Sequence, residues 1–156
     1  MKEDNFINLC KDAFGFLQED FGFKLSKPKA DSFGTTMIYM NSTTGVTVYF
    51  EPRENYILLM LHRLVNKKIP EYPVFFDKES IINSYYIDSL IKLRKGNTKD
   101  IDLALGKRRP YEPLKIRECL EAYSRLLRTT AADILCGNFS VFVDLERILK
   151  EDRVKK

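Results

Sequence analysis

The sequence predicts an α+β fold: an N-terminal helix, an antiparallel meander of about four strands, and two or three C-terminal helices packed on one face of the sheet. Three observations predict it. Apolar residues recur at helical spacing over residues 4–21, they alternate with polar ones around Val46–Glu51, and they return to helical spacing between Ile116 and Ile134. The chain has 156 residues and 18.3 kDa, so one domain over residues 1–156 is expected. At that size a chain buries roughly 70% of its unfolded surface, and the core needs no metal or disulfide staple. With 44% hydrophobic residues, 7 Gly and 6 Pro, the composition excludes a disordered or linker-like chain. No apolar run approaches the roughly 18 to 20 residues of a membrane helix.

In the first segment Phe6, Leu9, Cys10, Ala13, Leu17 and Phe21 make an apolar stripe, with Asp4 as a cap and Gly22 at the stop. Phe23 and Leu25 then suggest a short strand, followed by a polar loop through Lys27-Pro28-Lys29-Ala30-Asp31. Strands are predicted over 35–40, across Val46, Val48 and Phe50, and over 56–65. Turns at Asn41-Ser42-Thr43-Thr44-Gly45 and Pro52-Arg53-Glu54-Asn55 join them as hairpins. Pro70 and Pro73 interrupt residues 66–84 and leave that stretch without a regular assignment.

Residues 85–94 read as helix, with Asp88 as N-cap and Gly96 as stop; residues 97–110 read as a loop anchored by Ile101, Leu103 and Leu105. Pro113 suits the first position of a long helix whose stripe runs Ile116, Leu120, Tyr123, Leu127, Ala131, Ile134 and which Gly137 ends. Ser140 is the expected N-cap of a last helix over 141–150, burying Phe142, Leu145 and Leu149, with a frayed tail beyond.

Motifs for chemistry are sparse. The one histidine, His62, lies in an apolar strand on the face of Tyr56, Leu58 and Met60, and is expected to be a satisfied core or rim residue. Cys10, Cys119 and Cys136 have neither CxxC spacing nor a histidine cluster, so all three are expected to be reduced core residues, with no metal site. Neither GxGxxG nor GxxxxGK[ST] occurs, and Glu118 with Glu121 and Glu146 with Glu151 read as solvated helix faces. No catalytic residue, metal or cofactor is expected. The N-terminus shows no basic stretch followed by an apolar one, which predicts a cytoplasmic protein.

The net charge of +4 averages over two unlike segments. Residues 1–22 carry Lys2 and Lys11 against Glu3, Asp4, Asp12, Glu19 and Asp20, a balance of −3. Residues 92–109 carry Lys92, Arg94, Lys95, Lys99, Lys107, Arg108 and Arg109 against Asp100 and Asp102, a balance of +5. Such a basic segment can dock phosphates, an acidic partner, or the chain's own acidic helix. Nucleic-acid binding also calls for aromatics interleaved with the charges, and only Tyr111 lies close. The second candidate surface is a sheet face carrying Thr47, Tyr49, Glu51 and Tyr39, since tyrosine combines contact area with a polar tip.

Near the C-terminus, Tyr123-Ser124-Arg125-Leu126-Leu127-Arg128, then Asp133-Ile134-Leu135-Cys136-Gly137-Asn138-Phe139, then Phe142 and Leu145, resembles a pattern in small bacterial proteins. These begin with a helix ending in a phrase like Phe21-Gly22-Phe23, and some are similar to immunity proteins of contact-dependent or polymorphic toxin systems. Asn138 stands where the pattern has an acidic residue. The resemblance implies a non-enzymatic inhibitor that binds a protein, a cognate toxin foremost, and it implies no catalytic residues. The partner-binding residues expected are Lys95, Lys99, Lys107, Arg108, Arg109, Tyr39 and Tyr49. The alternatives are a nucleic-acid-associated protein using residues 92–109, with nucleic acid the weaker expectation, and a small enzyme built around His62 or buried carboxylates.

Overall fold

A computed structural model describes residues 2–71, 77–106 and 115–154. The first stripe forms two helices, α1 (Lys2–Ala13) and α2 (Gly15–Phe21), where one was expected. The break at Phe14 has a packing reason. Phe6, Cys10, Phe14 and Leu17 fit one helical stripe, but Phe16 falls on its far side; reorienting the chain at Phe14 buries Phe16 as well. Gly22 ends α2 in the left-handed conformation (φ 69°), and the Phe23 amide reaches back to the Leu17 carbonyl at 3.0 Å.

Six strands follow among the described residues: β1 (Lys24–Leu25), β2 (Lys29–Ala30), β3 (Thr35–Met40), β4 (Thr44–Glu51), β5 (Tyr56–Arg63) and β6 (Ser84–Tyr86). All pairings are antiparallel, in the order β1-β3-β4-β5-β6 with β2 also on β3. The supposed loop at Lys29-Ala30 is therefore part of an interrupted edge strand. Leu25 opposes Tyr39 whereas Lys29 opposes Thr36, so the edge carries one extra residue between its two halves. Pro28 lies in that bulge, where its missing N–H costs no ladder bond. Strand β5 stops at Arg63, two residues earlier than expected, because Val65 pairs with Lys68 across a tight turn whose central residues Asn66 and Lys67 both have positive φ.

The helical half differs from the sequence reading in four places. Residues 84–86 extend the sheet as β6, so α3 (Ile87–Arg94) begins after them and Tyr86, not Asp88, occupies the N-cap. Residues expected to form a loop contain α4 (Thr98–Leu105), whose Asn97 side chain accepts from the Asp100 amide at 3.1 Å. The long C-terminal helix divides into α5 (Ile116–Thr130) and α6 (Ala132–Leu135), and α5 starts from Lys115, so Ile116 is its first residue; Pro113 itself lies outside the described residues. The last helix, α7 (Val141–Val154), runs four residues further than expected, and the Ser140 hydroxyl turns back to Asn138 rather than on to the helix.

The core forms between the helices and one face of the sheet. Met37, Tyr39, Val46, Val48, Phe50, Ile57, Leu59 and Leu61 project to that side and meet Phe6, Leu17, Leu120, Tyr123 and Leu127. Buried side chains tie the layers together at fixed points. The Tyr123 hydroxyl donates to the Ile57 carbonyl (3.1 Å), the Thr44 hydroxyl to the Ile134 carbonyl (2.8 Å), and the Asn41 amide to the Phe21 and Leu135 carbonyls.

Candidate functional site

The helices cover one face of the sheet, and the strand register lays out the other. Directly opposed residues share a face, so Ile38, Thr47, Met60 and Tyr86 form one row across four strands, and Thr36, Tyr49 and Leu58 form the next. Met40 stands at the end of a third row with Gly45, His62 and Ser84. Ile38, Met40, Thr47, Tyr49, Leu58 and Met60 are half-buried and Tyr86 is exposed. Lys24 and Lys29, opposite Met40 and Thr36, add two exposed cations along the edge.

Tyr49 lies on this open face, as expected. Tyr39 does not. It opposes Val46, so it projects into the core, where it is fully buried, packs 6.0 Å from Phe14 and donates its hydroxyl to the Cys10 carbonyl at 3.3 Å. Glu51, expected on the open face, is buried at the β4–β5 turn and accepts from the Glu54 amide. Ile38, Met40, Met60 and Tyr86 were not among the expected site residues. Their signal is in β5, where both alternating sets, Ile57/Leu59/Leu61 and Leu58/Met60, are apolar: a strand greasy on both sides in a sheet that helices cover on only one.

His62 is buried between two hydroxyls, with Nδ1 2.7 Å from Ser84 Oγ and Nε2 3.0 Å from Thr47 Oγ1. Burial pushes its pKa down to about 4, so the ring is neutral at pH 7. Both ring nitrogens are engaged within the sheet, and His62 lines neither the cleft between α1 and α5 nor the groove between α3 and α7. Cys10 and Cys119 are buried, and burial pushes the Cys10 thiol upward. Cys136 departs from expectation: it is exposed, because the turn after α6 carries it outward. No cluster of His, Cys, Asp and Glu able to hold a metal ion occurs among the described residues.

The basic segment is partly consumed by structure. Arg94 grips Asp133 with two bonds of 2.7 Å and also donates to the Thr130 carbonyl; this pairing holds the Asp133 carboxyl below the usual carboxylate range. Asp100 is buried and accepts from Arg125 Nε at 2.9 Å. Lys95 and Lys99 are exposed, while Lys107, Arg108 and Arg109 lie outside the described residues. The acidic N-terminal helix packs beside α5. Between them lies a cleft of about 290 Å³ in which Asp12 and Glu121 alternate with Arg117, Arg125 and Arg128; Arg128 also stacks on Phe16 at 4.3 Å.

Lys95 follows α3 with φ 65° and ψ −165°, a region that non-glycine residues avoid because of the Cβ. It stands at one end of a groove of about 370 Å³ between α3 and α7, bordered by Lys92, Leu93, Ile148, Leu149 and Asp152. Lys95→Gly is therefore expected to raise stability by about 1 kcal/mol in urea denaturation, the relief of strain outweighing the added freedom of the unfolded chain. A loss of stability would show that the lysine makes a compensating contact.

No family model, curated protein or solved structure matches the chain. No described helix is long and apolar enough to cross a membrane.

Proposed function

We propose that the chain is a non-enzymatic protein-binding module, an immunity-type inhibitor that blocks a partner protein, a cognate toxin foremost, by covering its active surface. The observation that carries this reading is the open sheet face, where Met40, Met60, Ile38, Leu58, Tyr49 and Tyr86 stand in register with no helix over them among the described residues. Tyrosine and methionine are enriched at protein interfaces, and methionine adapts its shape to the surface it meets. Lys24 and Lys29 on the sheet edge, and Lys95 and Lys99 beyond α3, favour an acidic partner and would speed its approach. Lys107, Arg108 and Arg109 would add to the same steering.

The test is calorimetric titration against the product of the adjacent open reading frame, with Met60→Glu at the centre of the face. A buried carboxylate there is expected to weaken binding about thirtyfold or more. Val143→Glu, at an α7 position 71% exposed, is expected to leave binding unchanged. Wild-type affinity in Met60→Glu would overturn the docking face. Steeply salt-dependent binding to RNA or DNA, with no protein partner, would move the assignment to nucleic acid.

A further inference from the structure

The groove between α3 and α7 has a chemistry the open sheet face lacks. From α7, Leu145, Ile148 and Leu149 recur at i, i+3 and i+4, so they lie on one side of the helix, and Leu145 is buried as a floor. From α3, Leu93 lines the same groove and is 37% exposed. The floor and the α7 side are thus aliphatic together with Leu93, with no aromatic ring among the lining residues to favour a planar ligand. Two ammonium groups, Lys92 and Lys95, stand on the α3 side, and neither has an ion-pair partner among the described residues. Asp152 is the one acid at the groove, leaving it cationic by one charge. Ser89 supplies a hydroxyl on the same wall as the lysines.

From these features we infer that the α3/α7 groove binds a free single-chain aliphatic carboxylate, its chain along Leu93, Leu145, Ile148 and Leu149 and its carboxylate between Lys92 and Lys95. Charge complementarity selects the headgroup and the aliphatic lining selects the tail. The volume suits a chain of about eight to ten carbons, at the small end of ligand sites. Lys95 combines a strained backbone with a place in the groove lining, so a stabilising Lys95→Gly would at the same time remove one ammonium from the site. The groove lies on the helix side of the sheet, away from the proposed docking face, and Lys95 is the one residue common to both readings.

The experiment titrates the full chain, labelled with ¹⁵N, with hexanoate, octanoate and decanoate, and reads amide shifts. Shifts are expected to cluster in α3 and α7. Affinity should rise by up to about fourfold for each added methylene until the groove is filled. Nonyltrimethylammonium, with the same nine-carbon tail and the opposite charge, should bind at least about tenfold more weakly than decanoate, because two lysines repel it. Lys95→Gly is expected to lower decanoate affinity about tenfold while the protein stays folded, and Leu93→Glu, at an already exposed position, to abolish the gain with chain length. Shifts confined to the sheet face, equal binding of the cationic amphiphile, or unchanged affinity in both variants would each overturn the site. Loss of partner binding on the sheet face would leave these outcomes untouched.

Discussion

Truncating Tyr39 to alanine is expected to cost about 3–5 kcal/mol, the largest effect of any single change considered for this chain. The side chain is fully buried, packs 6.0 Å from Phe14, and anchors the Cys10 carbonyl through its hydroxyl. Removing it leaves a cavity at the junction of α1 and β3, and the Cys10 carbonyl keeps only its bond from the Phe14 amide at 2.9 Å. Tyr49→Ala, ten residues away on the opposite face, is expected to cost under about 1 kcal/mol, since its ring is already half in water. Urea denaturation of both variants tests the register directly. A one-residue slip of β3 against β4 would exchange the faces, so a mild Tyr39→Ala would refute the pairing of Tyr39 with Val46.

Acidification should destabilise the protein well before its carboxylates are protonated. His62 titrates near pH 4 when folded and near its ordinary value of 6.5 when unfolded, because burial disfavours the imidazolium. The unfolded chain therefore binds the extra proton between those values. The stability conferred by the neutral ring is complete above pH 6.5 and lost as the pH falls towards 4. The difference of 2.5 units corresponds to about 3 kcal/mol over that window. Asp133 acts at lower pH: Arg94 depresses its pKa, so its contribution persists until the pH falls below the usual carboxylate range. Stability measured at pH 7 and pH 4.5 should differ markedly in the wild type and much less in His62→Asn. An NMR titration placing the His62 transition near 6.5 in the folded protein would sink the prediction.

The elements that the sequence reading placed well are those with one strong period. Strand β4 contains the alternation of Val46, Val48 and Phe50 that predicted it, the β3–β4 and β4–β5 turns fall at their Asn-, Thr- and Pro-bearing segments, and the α5 stripe is buried as its spacing required. Those it misplaced are short or compete with a louder signal. Helix α4 was hidden by the charges of residues 92–109, although Asn97 is a good cap and Ile101, Ala104 and Leu105 share a helical side. Strand β6 has three residues, too few to show a period, and exists because β5 offers it an edge at Met60, Leu61 and His62. Of the expected site residues, Tyr49 reaches the open face and Lys95 and Lys99 the surface. Tyr39 was misassigned because Thr35-Thr36-Met37-Ile38-Tyr39-Met40 mixes apolar and polar types on both alternating sets.

The sequence by itself determined the α+β class, the antiparallel meander and the helical stripes, because hydrophobic periodicity is a local property written in each segment. Only the tertiary structure decided which sheet face the described helices leave uncovered, that Tyr39 is core while Met60 is half-buried and Tyr86 exposed on the other face, and that Leu93 and Lys95 meet α7 across a groove. Those facts depend on register and on the docking of segments far apart in the chain. A strand apolar on both sides does not say which side the helices will cover.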